Sequence, residues 1–283
     1  MAEPRCLMTV HAHPDDEASK GPSTVARYKA EGVRGVLVCC TGGEEGEILN
    51  PALVLDDGED LGDRRRRELA RAAEAIGYDE VVHLGYRDSG MPESEANARS
   101  EAFANAPLNE AVGRLVAVIR HHRPQVLIAY PEEQTEYPHP DHIRAHEIAA
   151  AAFDAAADPD AFDALGPPHA VAKLYYTVWP AIRLRKLHAA YEELGLESPY
   201  DERFLTRAAV EDAFTTTIDV GGYAHIRDEA LLAHETQIDP LSPFWFGLPA
   251  EVRHATHPFD HYFLARSRVG PIDVVENDLF AGL

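Results

Sequence analysis

Two short segments of the chain combine imidazole and carboxylate side chains at a density that suits metal chemistry. Residues 11–17 read His-Ala-His-Pro-Asp-Asp-Glu, and residues 137–142 read Tyr-Pro-His-Pro-Asp-His. Histidine nitrogens and carboxylate oxygens together favour a divalent transition metal, most often zinc, and a catalytic zinc site leaves one position open for water beside three protein ligands. We expect His13, Asp16 and His142 to be these three ligands.

Other side chains in the same segments could move protons. Asp15 lies next to a predicted ligand and could take a proton from metal-bound water, whose pKa falls to around 7 on zinc. His139 precedes His142 by three residues and could face the leaving group. Not every nearby histidine needs such a role: we expect His11 to pack within its strand, and His146 to lie outside the ligand set or on the surface.

The apolar pattern predicts a first half of alternating strands and helices. Strands are expected near residues 6–11, 33–40, 81–86, 125–130 and 172–179, and helices near 64–76, 111–122, from 140 onwards and 182–194. Continuous apolar strands separated by helices are typical of a mostly parallel sheet covered on both faces, which is an α/β, Rossmann-like fold. In such folds the ligand site lies beyond the carboxyl ends of the strands, where both polar segments fall.

The second half of the sequence is harder to interpret. A strand near residues 214–220 and a helix near 225–234 are predicted, and the topology after Tyr200 stays open. We expect residues 1–180 to form the Rossmann-like catalytic core that binds metal. Residues 181–283 would be a smaller α+β portion that completes the substrate pocket, within the same compact domain.

Composition narrows the classes of partner. The 283 residues carry 26 Lys and Arg against 48 Asp and Glu, a formal net charge of −22. Such a surface would repel nucleic acid and anionic lipid. The 3 cysteines form no disulfide framework, and no apolar stretch approaches the roughly 18 residues that a membrane span needs. We therefore expect a reduced, cytoplasmic protein that acts on a small molecule, with self-association left open.

The two segments also resemble a known family. His13-Pro14-Asp15-Asp16-Glu17, paired with His139-Pro140-Asp141-His142, is similar to the signature of the zinc-dependent LmbE/PIG-L deacetylases, which remove N-acyl groups from amino-sugar conjugates. The resemblance covers nearly the whole chain and points to the branch of the family that acts on mycothiol, especially its S-conjugate amidases. It continues through residues 41–51, 87–90, 173–176, 234–240, 264–268 and 279–282.

This resemblance implies roles for individual residues. It makes His13, Asp16 and His142 the ligands of zinc, with ferrous iron as an alternative, and Asp15 the general base. It implies that His139, oriented by Asp141, is the acid or oxyanion stabiliser, and that Tyr137 is a mobile tyrosine whose hydroxyl helps to hold the oxyanion. The residues that would contact the substrate are Lys20, Glu47, Arg65, Asp88 and Gln237.

Lys20 bears on the choice of substrate. The chain has only four lysines. At position 20 it resembles the amidase branch, which carries a lysine there, whereas the biosynthetic deacetylase has a neutral residue. We expect an amidase that hydrolyses the cysteine–glucosamine amide of mycothiol S-conjugates in thiol detoxification. The alternatives are the N-acetylglucosaminyl-inositol deacetylase of mycothiol biosynthesis, or a tailoring amidase or deacetylase of natural-product synthesis. A phosphate loop at residues 42–46 is disfavoured, because the Lys-Ser/Thr of that motif is missing.

Overall fold

Seven strands form one sheet at the centre of the protein. The computed structural model describes residues 4–132, 138–202, 205, 214–270 and 275–283. The sheet order is β3-β2-β1-β4-β5-β7-β6, in which β1 to β5 run parallel and β7 is antiparallel to both β5 and β6. The strands are β1 (Cys6–His11), β2 (Arg34–Thr41), β3 (Glu80–Tyr86), β4 (Val126–Ala129), β5 (Lys173–Val178), β6 (Thr216–Asp219) and β7 (Phe259–Ser267).

Helices cover both faces of this sheet. The described helices are α1 (Asp16–Ser19), α2 (Pro22–Ala30), α3 (Leu61–Ile76), α4 (Leu108–His122), α5 (Pro140–Ala155), α6 (Ala181–Glu193), α7 (Ala224–Ala233), α8 (Pro243–Phe246) and α9 (Ala250–Thr256). Alternate residues of β1 explain the layering, because Met8 packs in one core with α4 and α5, whereas Leu7 packs in another with α2, α3 and α7. No helix in the described ranges is long and apolar enough to cross a membrane.

The strand order reverses beside β1, which lies between β2 and β4. In open α/β sheets, the loops that leave the strands at such a point diverge and leave a crevice for a ligand. The loop after β1 carries His13 to Asp16, and the segment between β4 and α5 carries His139 to His142. The topology thus brings together two segments that are far apart in the sequence.

The α/β fold predicted from the sequence is confirmed, including the parallel sheet with helices on both faces. One strand was missed: β7 pairs with β5 along Lys173↔Ser267 to Val178↔His261. Its sequence, Phe-Asp-His-Tyr-Phe-Leu-Ala-Arg-Ser, mixes charged and apolar residues. It lacks the continuous apolar run that marks the parallel strands, because it lies near the edge of the sheet.

Candidate metal centre

The loop after β1 makes a tight turn that folds Asp16 back over His13. The backbone N–H of His13 donates to Asp16 Oδ2 at 2.9 Å, and α1 begins at Asp16. Asp15 precedes this helix with φ 116°, a left-handed conformation that is costly for a residue with a side chain. Strained backbone of this kind persists only where surrounding contacts hold it, and it is common at functional sites.

The second segment approaches the first at the start of α5. Proline at the first helical position suits this start, because its fixed φ is already helical and it lacks the N–H that would go unpaired there. His139 caps the helix, since its Nδ1 accepts the backbone N–H of Asp141 at 3.2 Å. His142 lies in the first turn, with Nε2 at 3.4 Å from Asp16 Oδ1.

His13, Asp16 and His142 together could hold a metal ion. One ligand atom of each lies within 4.8 Å of the others, and all three side chains are buried. Ligand bonds of 2.0–2.2 Å in a tetrahedral site put neighbouring donor atoms about 3.3 Å apart. The measured separations are 3.5 Å from His13 Nδ1 to Asp16 Oδ2 and 3.4 Å from His142 Nε2 to Asp16 Oδ1. Both the donor types and their spacing therefore fit a zinc-like cation.

A second cluster, His13, His139 and Asp141, also satisfies the spacing for a metal, but its carboxylate has other partners. Asp141 accepts the backbone N–H of Ser89 at 2.9 Å and the Ser89 hydroxyl, and its Oδ2 lies 3.2 Å from His13 Nε2. A carboxylate on the far nitrogen of a metal-ligating histidine fixes the orientation of the ring. We therefore assign Asp141 to the support of His13, whose Nδ1 remains on the side of Asp16.

This arrangement changes the role implied for Asp141. The resemblance implies that Asp141 orients His139, yet the Asp141 carboxylate contacts His13 and Ser89. Its backbone N–H reaches His139 only as part of the helix cap. The reason is geometric: a residue in the first turn of α5 points its amide at the capping residue, and its side chain is then free to reach another partner.

Arg65, on α3, holds the predicted general base. Its Nη2 donates to the Pro14 carbonyl at 2.6 Å and to Asp15 Oδ2 at 3.0 Å, and its Nη1 donates to the Gly43 carbonyl at 2.9 Å. A Cβ atom on Gly43 or Gly46 would collide with this guanidinium. The glycines of the 42–46 loop therefore make room for a buried arginine.

Charge and burial tune the protonation of the site. Burial raises the pKa of Asp15 and the Arg65 cation opposes it, which moves the carboxylate toward the range of an effective base. Burial, and then the neighbouring His13, lower the pKa of His139 to about 4. A neutral His139 is suited to donate a hydrogen bond to a developing oxyanion. Burial alone would lower the pKa of His13, but hydrogen bonds to Asp141, Asp16 and Asp88 raise it well above its usual value.

Lys20 and Tyr130 surround the carboxylate of Asp16. The Lys20 ammonium donates to Asp16 Oδ1 and lies 5.4 Å from the centre of the Tyr130 ring. The Tyr130 hydroxyl donates to Asp16 Oδ2 at 2.6 Å and accepts the backbone N–H of Ala12 at 2.8 Å. Burial opposes ionisation of Asp16, but the Lys20 cation, and then His142 and His13, lower its pKa well below the usual value.

The remaining residues predicted to contact substrate are spread around this centre. Asp88 is buried, with Oδ1 3.5 Å from His13 Nε2. Glu47 is exposed, and its backbone carbonyl accepts the side-chain amide of Gln237 at 2.9 Å. Substrate contact by these three residues stays a prediction. Tyr137 lies outside the described residues.

Sequence reasoning missed several supporting side chains. Tyr130 ends the apolar run of β4, and Ser89 lies in a polar loop, so only their position at the carboxyl ends of strands could have indicated them. Glu17 and His234 form a fully buried ion pair with 2.5 Å between Oε1 and Nε2, and Glu17 Oε2 also accepts the backbone N–H of Asp15 at 3.0 Å. Through the hydrogen bond to Asp15, this pair helps to hold the strained turn in place.

The other two histidines near the centre do not join the ligands. His11 is buried in β1 against the edge of Tyr130, with 6.0 Å between ring centres. His146 lies one turn beyond His142, and its Nδ1 is 3.0 Å from the Tyr130 carbonyl oxygen. His11 therefore packs within its strand and His146 lies outside the ligand set, as expected from the sequence.

Comparison with known proteins places this centre in context. Residues 8–153 match the family model described as PIG-L, GlcNAc-PI de-N-acetylase. The chain is 42% identical, over 98% of its length and 97% of the relative's, to a mycothiol S-conjugate amidase of Streptomyces coelicolor. It is 43% identical, over 100% of its length and 99% of the relative's, to a 1D-myo-inositol 2-acetamido-2-deoxy-alpha-D-glucopyranoside deacetylase of Geodermatophilus obscurus.

Solved structures show the same architecture at lower sequence identity. The N,N'-diacetylchitobiose deacetylase from Pyrococcus horikoshii superimposes with a TM-score of 0.63 at 15% identity, over 93% of this chain and 84% of that one. A protein from Thermus thermophilus gives a TM-score of 0.58 at 21% identity, over 94% of this chain and 96% of that one. At these identities the likeness establishes the fold.

Proposed function

Since this chain belongs to the PIG-L, or GlcNAc-PI de-N-acetylase, family of amide hydrolases, we propose that it hydrolyses the amide joining cysteine to glucosamine in mycothiol S-conjugates. The names of its relatives support a mycothiol-related amide as the substrate class. The products would be an N-acylcysteine S-conjugate and glucosaminyl-inositol. The relatives named as deacetylases are equally similar, so the preference for the conjugate rests on the acyl side of the site.

Lys20 is the observation that carries this preference. Its ammonium donates to Asp16, and the same residue lines a cavity that opens to solvent on the side away from the other ligands. Trp179 and Phe259 also line this cavity. An acetyl group needs no such space, whereas the acyl part of a conjugate carries an acetamido group and a thioether substituent. We assign the cavity to that acyl part, with Lys20 donating to its acetamido carbonyl.

The chemistry follows from the groups around the metal centre. His13, Asp16 and His142 would hold zinc, or ferrous iron in its place, and such a cation polarises an amide carbonyl and acidifies water. Asp15, held by Arg65 and the turn, accepts the proton of the attacking water. His139 donates a hydrogen bond to the oxygen where negative charge develops. The carbon–nitrogen bond then breaks, and the proton on Asp15 passes to the departing glucosamine nitrogen.

A comparison of two substrates tests this proposal. The purified protein is loaded with zinc or ferrous iron and given either a bimane conjugate of mycothiol or N-acetylglucosaminyl-inositol, at matched concentrations. We expect the higher kcat/KM on the conjugate. A higher value on the acetylated sugar would overturn the proposal in favour of the deacetylase, and turnover of neither would overturn both.

A variant of Lys20 links the preference to the structure. Loss of a hydrogen bond from a charged donor costs about 1.5 kcal/mol, so Lys20→Met should lower kcat/KM on the conjugate about tenfold. The acetylated sugar lacks the acceptor and should be affected much less. Lys29→Met is the matched control, because Lys29 is an exposed lysine whose hydrogen bond is to Asp79 on the surface.

A further inference from the structure

A larger cavity lies beyond the one that Lys20 lines. It opens to solvent, and like most small-molecule sites it is lined mainly by apolar and aromatic side chains with a few charged ones among them. Its lining includes Trp179 after the end of β5, Val220 after the end of β6 and His257 before the start of β7. Because β7 runs antiparallel to β5 and β6, these three points all lie at the same end of the strands, the end that also carries the metal centre. We call it the Arg183 cavity.

The two cavities are neighbours. Trp179, Arg183 and Arg227 line both of them, and Lys20 lines the smaller one. The smaller cavity therefore connects the surroundings of Asp16, which Lys20 contacts, with the larger cavity, and Trp179 and Arg183 lie between the two. An acyl group bound at the metal centre could extend a substituent along this path.

The Arg183 cavity is cationic in a strongly acidic protein. The chain carries a net charge of −22, yet this lining holds Arg183, Arg227 and Arg253 against a single carboxylate, Asp228. Arg253 pairs with Asp228 at 2.5 Å, and Arg227 pairs with Asp260, which lines the smaller cavity, at 2.6 Å. An excess of positive charge at one place in such a chain indicates an anionic ligand.

Arg183 is the cation of this lining for which the described part of the chain provides no anionic partner. Among the described residues it forms no ion pair and no side-chain hydrogen bond, and its guanidinium carbon lies 5.4 Å from the centre of the Trp179 ring. Burial, and then the nearby Arg227, lower the pKa of Arg183 to about 9. This is the direction expected for a cation with too few anions around it.

Several polar atoms of the same lining are also unpaired. Within the described ranges, Ser23 Oγ, His257 Nδ1, and the Nε atoms of Arg227 and Arg253 are buried and have no hydrogen-bond partner. Buried polar groups are nearly always paired, and exceptions call for an explanation. These atoms have almost no accessible surface, so a ligand in the cavity would pair with Arg183 rather than with them. Aromatic side chains, including Trp179, Tyr200 and Trp245, complete the lining.

We propose that the Arg183 cavity binds the sulfur substituent of the conjugate and selects substituents that join an aromatic or apolar body to a carboxylate. The guanidinium of Arg183 would bind the carboxylate, and the aromatic lining would cover the body. This inference rests on the proposed amidase function for the identity of the ligand. Its test uses binding as well as turnover, so that the two can fail separately.

Tryptophan fluorescence reports on this cavity through Trp245 and on both cavities through Trp179. The chain has 2 tryptophans, Trp179 and Trp245, and both line the Arg183 cavity. Two ligands that resemble the acid product of the reaction are compared, S-(para-carboxybenzyl)-N-acetylcysteine and S-benzyl-N-acetylcysteine. Calorimetry supplies each Kd, the fluorescence shows that the ligand binds beside the tryptophans, and the dependence on Arg183 assigns it to the larger cavity. We expect both ligands to change the fluorescence, and the carboxybenzyl compound to bind about tenfold more tightly.

Substitution of Arg183 should abolish this preference. In Arg183→Met both ligands should bind with similar Kd, whereas Arg183→Lys should keep part of the preference, because it keeps the charge without the planar fork. Arg185→Met is the matched control, since Arg185 lies on the same helix, is exposed and does not line the cavity. It should bind both ligands like the unaltered protein. Circular dichroism and thermal melting establish that each variant folds.

The outcomes separate the cavity from the reaction. Unchanged fluorescence with both ligands, or a preference that persists in Arg183→Met, would overturn the assignment of the cavity even if the conjugate is hydrolysed. A preference that depends on Arg183, in a protein that does not hydrolyse the conjugate, would support the cavity and refute the amidase function. With both correct, kcat/KM for the carboxybenzyl conjugate should exceed that for the benzyl conjugate, and only Arg183→Met should remove the difference.

Discussion

Replacement of Arg65 by methionine should separate support of the general base from binding of substrate. Arg65 is buried and donates to two backbone carbonyls, those of Pro14 and Gly43, and to the carboxylate of Asp15. If it bound substrate, its loss would raise KM. Because all three of these contacts lie within the protein, we expect kcat to fall while KM changes little.

The size of the effect follows from these contacts. Removal of one member of a buried charge pair costs about 3–5 kcal/mol, and the side chain of Asp15 is 28% exposed, so the lower end applies. A loss of about 3 kcal/mol lowers Tm by roughly 6 °C in a chain of this size. A base displaced by about 1 Å costs about 10²-fold in kcat. Metal content should not change, because Arg65 contacts none of the three ligands.

The assay is a set of steady-state kinetics, thermal melts and metal analyses on three variants. Arg65→Lys should recover part of the stability, since it keeps the charge but cannot donate to three acceptors in the same geometry. Arg66→Met is the control: Arg66 is the next residue of α3, is 39% exposed and pairs with Glu44 and Asp63 on the surface. A raised KM with unchanged kcat in Arg65→Met would refute the positioning role and restore substrate binding.

Four further outcomes are expected. Asp15→Asn should keep its metal but lose about 10²–10⁴-fold in kcat, whereas His142→Ala should lose metal by elemental analysis. Gly43→Ala should reproduce the kcat defect of Arg65→Met, because its Cβ would collide with the guanidinium. Gly58→Ala is the control: Gly58 has φ +81° and no atom within 4 Å of the added Cβ, so the change should cost only the backbone strain of about 1 kcal/mol. Burial, and then His261, lower the pKa of His257 to about 3. Below pH 6.5 the unfolded chain therefore binds more protons than the folded one, and the free energy of unfolding decreases as the pH is lowered. Between pH 7 and pH 5, the free energy of unfolding of His257→Gln, measured in urea melts, should decrease by about 1–2 kcal/mol less than that of the unaltered protein.

The parallel half of the fold was predictable because its signals are local and strong. Each of β1 to β5 is an apolar run, and the intervening helices carry apolar residues at helical spacing. The candidate metal ligands were predicted from the same pattern, since both polar segments were placed at the carboxyl ends of strands. Only a fold that sets β1 beside β4 could then bring His13 and His142 together, and the structure has this order.

Other features were not predictable because they depend on contacts between distant segments. The glycines at positions 43 and 46 gave no hint that they accommodate Arg65, which lies 22 residues further along the chain from Gly43. The carboxylate of Asp141 could not be assigned to His13 from sequence, since the choice between His13 and His139 depends on the side-chain direction in the first turn of α5. The strand β7 was not predicted because its charged residues interrupt the apolar run by which the other strands were recognised.

The two proposals place the chemistry and the selection of the substituent at different points along the carboxyl ends of the parallel strands. The candidate metal ligands and the predicted base lie where β1 and β4 diverge, on the parallel half, beside a strained turn and a buried arginine. The Arg183 cavity lies beyond β5, against segments that flank the antiparallel β6 and β7. Substitutions there can alter which acyl group fits without moving the metal ligands. The half of the sequence with the weakest pattern is therefore also the half in which we place the choice of sulfur substituent.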